Sequence, residues 1–439
     1  MFRNPHAPLA VALALLLCTA VALPARSAAD DRMIVSPGMD QRCNVDAVPA
    51  ATLLFPYFSV DPATGRNVTT FSVTNADSSP RLARVTLWTN WALPTLSFDL
   101  YLAGYDVAVF NVIDVFTGKA FAGPAHEPDG PGPLSADNVV FPGCSSSRVV
   151  GEGVVRPLHF HPAFHAEMLP PYRALTRAHQ GLRVGERYWA DRTPLIWARP
   201  DTVDAVTGYV TVDVVNRCSG GFPSDPGYFV HGGRGIASND NVLLGEYMIY
   251  EPAGKRSYGD VAVHVRAAAG AFAPGDYTFY GRYVDGSAAD DRQPLGTVFA
   301  SRYITDLTFA ESVNTYLLVW RDTKQLPFGP LMEGLKPTWY PLGSAPMLVF
   351  DETSDLAMTR IADELPLATQ SLDMDLMGTP FPYGWMMLDL NHEASQLFGG
   401  AAQAWVTTLI AGEIVSSPDG IHIGSGCRAF RLESPCDYR

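Results

Sequence analysis

The stretch LHFHPAFHAEM, residues 158–168, sets His159, His161 and His165 within one short segment, with Glu167 close behind and His179 further on. An extended HFH places the first two imidazoles on one face, and Pro162 biases His161 towards that extended backbone. With a third ligand from His165 or Glu167, the pair would make a zinc site with one position open to water. Zinc in such a site lowers the pKa of its bound water to about 7 and supplies hydroxide for hydrolysis. The competing reading is a proline-flanked polar loop that binds nothing, because an H-x-H pair alone specifies little.

Other residue types with chemical potential are scattered. HGGRG, 231–235, resembles the loop that donates backbone amides to an oxyanion in esterases. That fold also needs a serine in G-x-S-x-G, which is missing, so the glycines are expected to serve a turn at positive φ. Neither G-x-x-x-x-G-K-[ST] nor H-E-x-x-H occurs. The acidic stretch VDGSAADDRQ offers Asp285, Asp290 and Asp291 to calcium, but its spacing is not that of an EF-hand, and a solvated hairpin tip is expected instead. In LWTNW, strand alternation puts Trp88 with Arg84 and Thr86, opposite Ala83, Val85 and Leu87. An exposed Trp88 would stack on a sugar ring or seat a partner protein. Trp91, Trp189, Trp197, Trp320, Trp339, Trp385 and Trp405 stand in apolar contexts and are expected in the core. No catalytic residue and no cofactor beyond zinc is expected.

The N-terminus combines Arg3, the apolar run LAVALALLLCTAVAL and the small-residue site Arg26-Ser27-Ala28. Residues 1–28 are therefore expected to be a secretory signal peptide cleaved after Ala28, giving a periplasmic or extracellular protein. Of the six cysteines, Cys18 lies in that leader. Export favours oxidation of the rest, with Cys144 and Cys218, and Cys427 and Cys436, as disulfide candidates and Cys43 left over. The formal net charge is −14 and no Lys/Arg run occurs, which argues against nucleic acid as a partner. No apolar stretch after the leader is long enough to span a bilayer.

The elements that would position these residues follow a period of two. RLARVTLWTN, VTTFSVTN, YVTVDVVN and DVAVHVRA each alternate apolar and polar side chains, the pattern of strands with one buried face. Turn clusters such as NADSSPR and NRCSGGFPSDPG separate them. PPYRALTRAHQGL alone carries a clear helical spacing, through Leu175, Ala178 and Leu182. The expectation is a mainly β chain of two or more antiparallel β-sandwich-like domains with a short, partly helical connection. Its parts are an N-terminal β domain over 45–120, a Pro/Gly-rich connection over 121–205 and a larger β region over 206–439.

Several blocks carry a resemblance: TLLFPYFSVD, FSVTNADSSPRLARVTLWTNWALPTLSFDLYLAGYDV, GYVTVDVVNRCSGGFPSDPGYF, YGRYVDGSAADDRQPLGTVFASRY, TWYPLG and PFPYGWMMLDLNH. The chain resembles an uncharacterised group of exported, β-rich bacterial proteins. The resemblance implies secretion and a β scaffold, implies no activity, and does not reach the histidine segment. The sequence thus points to an exported, non-enzymatic envelope or extracellular module, whose partner is a surface protein or a polysaccharide. A zinc-binding protein or zinc hydrolase centred on His159, His161 and His165 is the alternative, and a carbohydrate-binding module using Trp88 the second.

Overall fold

The structure is a computed structural model that describes residues 48–90, 92–121, 125–126, 141, 143–144, 149–150, 154–161, 171–179, 205–251, 256–273, 277–281, 283–284, 290–305, 314–323, 342–343, 346–351, 356–360, 364–365, 368–377, 379–390, 402–411, 413–414, 421–422, 425–428 and 430–431. It is mainly β, with antiparallel sheets and few short helices. Among the described residues, no helix is long and apolar enough to cross a membrane.

The first half begins with β1 (Thr52–Val60), β2 (Val68–Asn75), β3 (Arg81–Thr89), β4 (Pro94–Leu102) and β5 (Val107–Asn111), followed by helix α1 (Val112–Thr117). Short strands β6 (Ala125–His126) and β7 (Val149–Val150) precede β8 (Val154–Phe160) and helix α2 (Pro171–His179). Strands β9 (Val206–Val215), β10 (Leu243–Glu251), β11 (Arg256–Val261) and β12 (Val263–Val265) complete it. Eight strands form one sheet in the order β12-β1-β9-β3-β4-β8-β7-β6, and four form a second in the order β11-β10-β2-β5. The boundary expected near residue 205 therefore runs through these sheets: β9 lies between β1 and β3, and β10 pairs with β2.

Burial distinguishes the two sheets. β2 alternates half-buried and buried residues, as its sequence predicts. β1 is buried throughout, as befits the near-continuous apolar run TLLFPYFSV in a central strand. Pro56 has no N–H for the ladder, and the β1–β9 register shifts between Phe55 and Phe58. An aromatic core fills the space between the sheets. Phe71 lies 5.0 Å from Phe55 and 5.3 Å from Phe110, and Phe98 lies 5.7 Å from Phe110.

The second half pairs a five-stranded with a four-stranded sheet. The five run Leu356–Arg360, Pro346–Phe350, Tyr383–Asp389, Val298–Ile304, Phe430–Arg431 across the sheet. The four run Thr369–Asp373, Asn314–Thr323, Ala402–Ala411, Ser425–Arg428. Adjacent residues of Asn314–Thr323 serve different cores: Leu318 joins the core of the first half, while Leu317 and Val319 join the core that also holds Trp320, which packs 6.0 Å from Tyr209 of β9. Thr369 Oγ1 donates to the Pro56 carbonyl, and the Ala368 N–H donates to the Asn90 carbonyl at 2.8 Å. The halves share a core and backbone hydrogen bonds.

Candidate functional site

The histidine segment meets the fold at the edge of the large sheet. β8 pairs with β4, setting His159 opposite Ser97, and the His161 N–H donates to the Thr95 carbonyl at 2.8 Å. Both imidazoles are half-buried and both pack on the turn that follows β9. His159 Nδ1 lies 2.9 Å from where a Cβ on Gly220 would stand, and His161 meets Phe222 edge-on at 5.0 Å. Burial lowers the pKa of both; the Arg84 cation adds to the effect at His159, and Asp225 opposes it at His161. His165 and Glu167 lie outside the described residues. Among the described residues, no group of three or more His, Cys, Asp and Glu side chains is placed to hold a metal ion. His179 is a core residue. It packs against Phe58 and Phe116, its Nδ1 bonds the Thr207 carbonyl at 3.0 Å, and its Nε2 meets Thr95 Oγ1 at 2.9 Å. Burial pushes its pKa down to about 3.

The same turn is held from two further sides. A disulfide joins Cys144 to Cys218 across 74 residues of chain. Arg84 donates to the carbonyls of Ser219 and Gly221. Cys427 lies in the strand Ser425–Arg428, and Cys43 and Cys436 fall outside the described residues.

Arg84 belongs to a row that crosses four strands: Asp99 on β4, Arg84 on β3, Asp213 on β9 and Thr52 on β1 stand in register. Its guanidinium grips the Asp99 carboxylate through two bonds of 2.7 and 2.8 Å, a bidentate pair with Arg84 0% exposed. Asp213 accepts from Thr52 Oγ1, from the Tyr228 hydroxyl at 2.8 Å and from the Tyr280 hydroxyl at 3.0 Å. Arg292 approaches it to 3.6 Å and also bonds Thr52 Oγ1 and the carbonyls of Asp290 and Ser238. Burial and the Asp213 charge push both phenols well above the usual tyrosine range, so they remain protonated donors. A lone acid inside each of the apolar strands SFDLYL and TVDVVN was the sequence signal for buried partners.

Trp88 lies on the face that carries Arg84, and that face is covered. Trp88 is 1% exposed, stacks on Tyr209 at 5.6 Å, and donates from Nε1 to Thr211 Oγ1 at 2.8 Å. This corrects the expected solvent-facing Trp88. Arg84 bonds the turn after β9 and Trp88 packs on Tyr209 and Tyr283, while Ala83, Val85 and Leu87 share a core with Phe71 and Phe110 of the small sheet. The expected acidic hairpin tip is corrected likewise, for Asp290 and Asp291 are buried. Asp290 accepts from the backbone N–H groups of Tyr280 and Arg292, and burial raises its carboxyl to about 6. Asp291 takes the Gly232 N–H at 2.7 Å and Asn239 Nδ2 at 2.8 Å. The glycines of HGGRG thus form a turn at positive φ that serves a buried carboxylate. Asp285 lies outside the described residues.

Among the described tryptophans the exposed one is Trp385, where the sequence predicts core. It is 38% exposed and its neighbour Tyr383 44%, both on the outer face of the five-stranded sheet. In register, Phe350 stands on one side of Trp385 and Arg302 on the other, with the Arg302 guanidinium 5.0 Å from the centroid of the indole. Gly384, between the two aromatics, sits at φ +152, and a Cβ there would overlap the Phe350 carbonyl oxygen. Glycine is required for that close approach of strands, and the signal in sequence is Y-G-W inside a strand pattern. The outer face of the small sheet exposes Val107, Val109, Met248 and Tyr250, with Glu246 and a row of β2 threonines among them. No family model matches the chain, and no curated protein or solved structure matches it.

Proposed function

We propose that the chain is an exported, non-enzymatic β-sandwich module that acts in the envelope or outside the cell by binding through its outer sheet faces. One contrast carries this reading. The acids, guanidinium groups and phenols that come together, from Asp99 and Arg84 to Asp213, Tyr228, Tyr280 and Arg292, are buried and bonded to one another. Large apolar side chains on the outer sheet faces, Trp385, Tyr383, Met248 and Tyr250 among them, meet solvent instead. A general base must reach the proton it abstracts, and a sealed, fully committed carboxylate does not. The leader-like segment 1–28, the Cys144–Cys218 disulfide and the resemblance of the quoted blocks to exported proteins support the location.

The test begins with the full chain expressed with its own leader. The expected product begins at Ala29, is disulfide-bonded, lies outside the cytoplasm and turns over no ester, glycoside or peptide substrate. An uncleaved cytoplasmic product, or turnover by the pure protein, would overturn the reading. The metal content of tag-free protein is measured in the same preparation beside the His159→Ala/His161→Ala variant. Near-stoichiometric zinc that the variant loses would put a zinc protein in its place.

A further inference from the structure

We infer that the outer face of the five-stranded sheet, around Tyr383, Trp385, Phe350 and Arg302, binds an uncharged polysaccharide built of β-linked hexopyranoses. The inference rests on the binding-module reading above and names the ligand class for one of its faces.

The strands that carry this face are fixed. Tyr383 and Trp385 stand two residues apart on one strand, about 7 Å along it. Phe350 and Arg302 flank Trp385 on the adjacent strands, so the row across the sheet spans roughly 10 Å. The approach to Tyr383 is pinned by two hydrogen bonds. The Thr305 N–H donates to the Pro382 carbonyl at 2.6 Å, and the Tyr303 hydroxyl donates to the Phe381 carbonyl at 3.2 Å. Gly384 brings the strand against Phe350. Such a surface loses little freedom on binding, which favours a ligand met by stacking.

The chemistry of the side chains selects the ligand. An aromatic face attracts C–H groups that carry partial positive charge, and Tyr and Trp add a polar edge. A pyranose with equatorial substituents offers such C–H groups on a flat face and hydroxyl groups around its rim. The Arg302 guanidinium lies over the indole, so the aromatic surface of this face is bordered by a cation. A polyanion is disfavoured by a chain of net charge −14.

The test titrates the mature, disulfide-bonded protein calorimetrically with linear hexasaccharides of β-1,4-linked glucose and of β-1,4-linked mannose. Oligogalacturonate and phosphatidylglycerol vesicles are titrated in parallel. One of the neutral oligosaccharides is expected to bind, with an affinity that hardly changes between low and high salt. Trp385→Ala is expected to weaken it by about tenfold or more, and Tyr383→Ala to weaken it too, with both variants still folded and unfolding cooperatively. Undiminished binding by both folded variants would overturn the inference. So would binding of the acidic oligomer or the vesicles alone, or no binding of either neutral oligosaccharide. Those results leave the binding-module reading standing, whereas turnover of a neutral oligosaccharide would overturn that reading instead.

Discussion

Thr52 stands between Asp213 and Arg292: its hydroxyl donates to the carboxylate and accepts from the guanidinium Nε. One small side chain thus bridges a buried carboxylate and a buried guanidinium that lie 3.6 Å apart. Thr52→Val keeps the shape and removes both bonds. Leaving buried polar groups short of a partner costs about 1–3 kcal/mol, more where they are charged. The expected result in urea unfolding is a lower midpoint at unchanged slope, with Thr52→Ser close to wild type. Equal losses in the two variants would show that the methyl group, not the hydroxyl, matters there.

Arg84 and Asp99 form a second test of the same interior. Arg84→Met strands the Asp99 carboxylate at 3% exposure and releases the carbonyls of Ser219 and Gly221. Removing one partner of a buried pair typically costs about 3–5 kcal/mol, because the other charge is left without compensation. The double variant Arg84→Met/Asp99→Leu is expected to be more stable than Arg84→Met alone. A double variant that loses as much as the sum of the singles would mean that the two residues are not coupled.

Much of the architecture was legible because alternation of side chains is a local property of a strand. β2 shows its pattern in both sequence and burial, and the spacing of Leu175 and Ala178 located α2. What covers a polar face is not local. Arg84, Thr86 and Trp88 alternate as a wet face would, yet distant segments close over them, Arg84 pairing with Asp99 and Trp88 bonding Thr211. The insertion of β9 between β1 and β3, from more than a hundred residues away, is likewise a long-range pairing that no local pattern signals. The sandwich-like class was therefore readable, whereas the solvent exposure of single tryptophans depended on long-range contacts.

His179 and Asp290 make opposing contributions to acid stability. The folded pKa of His179, about 3, lies below its ordinary 6.5, so the unfolded chain binds the extra proton and stability falls as pH drops below about 6.5. The folded pKa of Asp290, about 6, lies above its ordinary 3.8, so the folded chain holds the extra proton and stability falls as pH rises from about 4 to 6. Each slope is at most about 1.4 kcal/mol per pH unit, and between pH 4 and 6 they offset one another. His179→Gln can keep a donor for Thr207 and an acceptor for Thr95 while removing the titration. Its stability relative to wild type, measured by urea unfolding, is expected to improve by about that slope for each pH unit of acidification from 6 to 4. Parallel pH profiles for the two proteins would refute the assignment.

Trp88 and Trp385 are the sharpest test of which faces are closed. Trp88 is buried, stacked on Tyr209 and bonded to Thr211, so Trp88→Ala leaves a large cavity and deprives Thr211 of a donor. A loss of about 3–5 kcal/mol is expected, the usual range for truncating a buried aromatic. Trp385 meets solvent and has a cation beside it, so Trp385→Ala removes a cation–π contact worth about 0.5–1 kcal/mol at an exposed site and opens no comparable void. Trp88→Phe, which keeps the stacking and drops the hydrogen bond, should fall between the two. The ordering of the three unfolding free energies, measured under one condition, decides the matter. If Trp385→Ala proved as costly as Trp88→Ala, the outer face of the five-stranded sheet would be part of a core, with no platform there for a ligand.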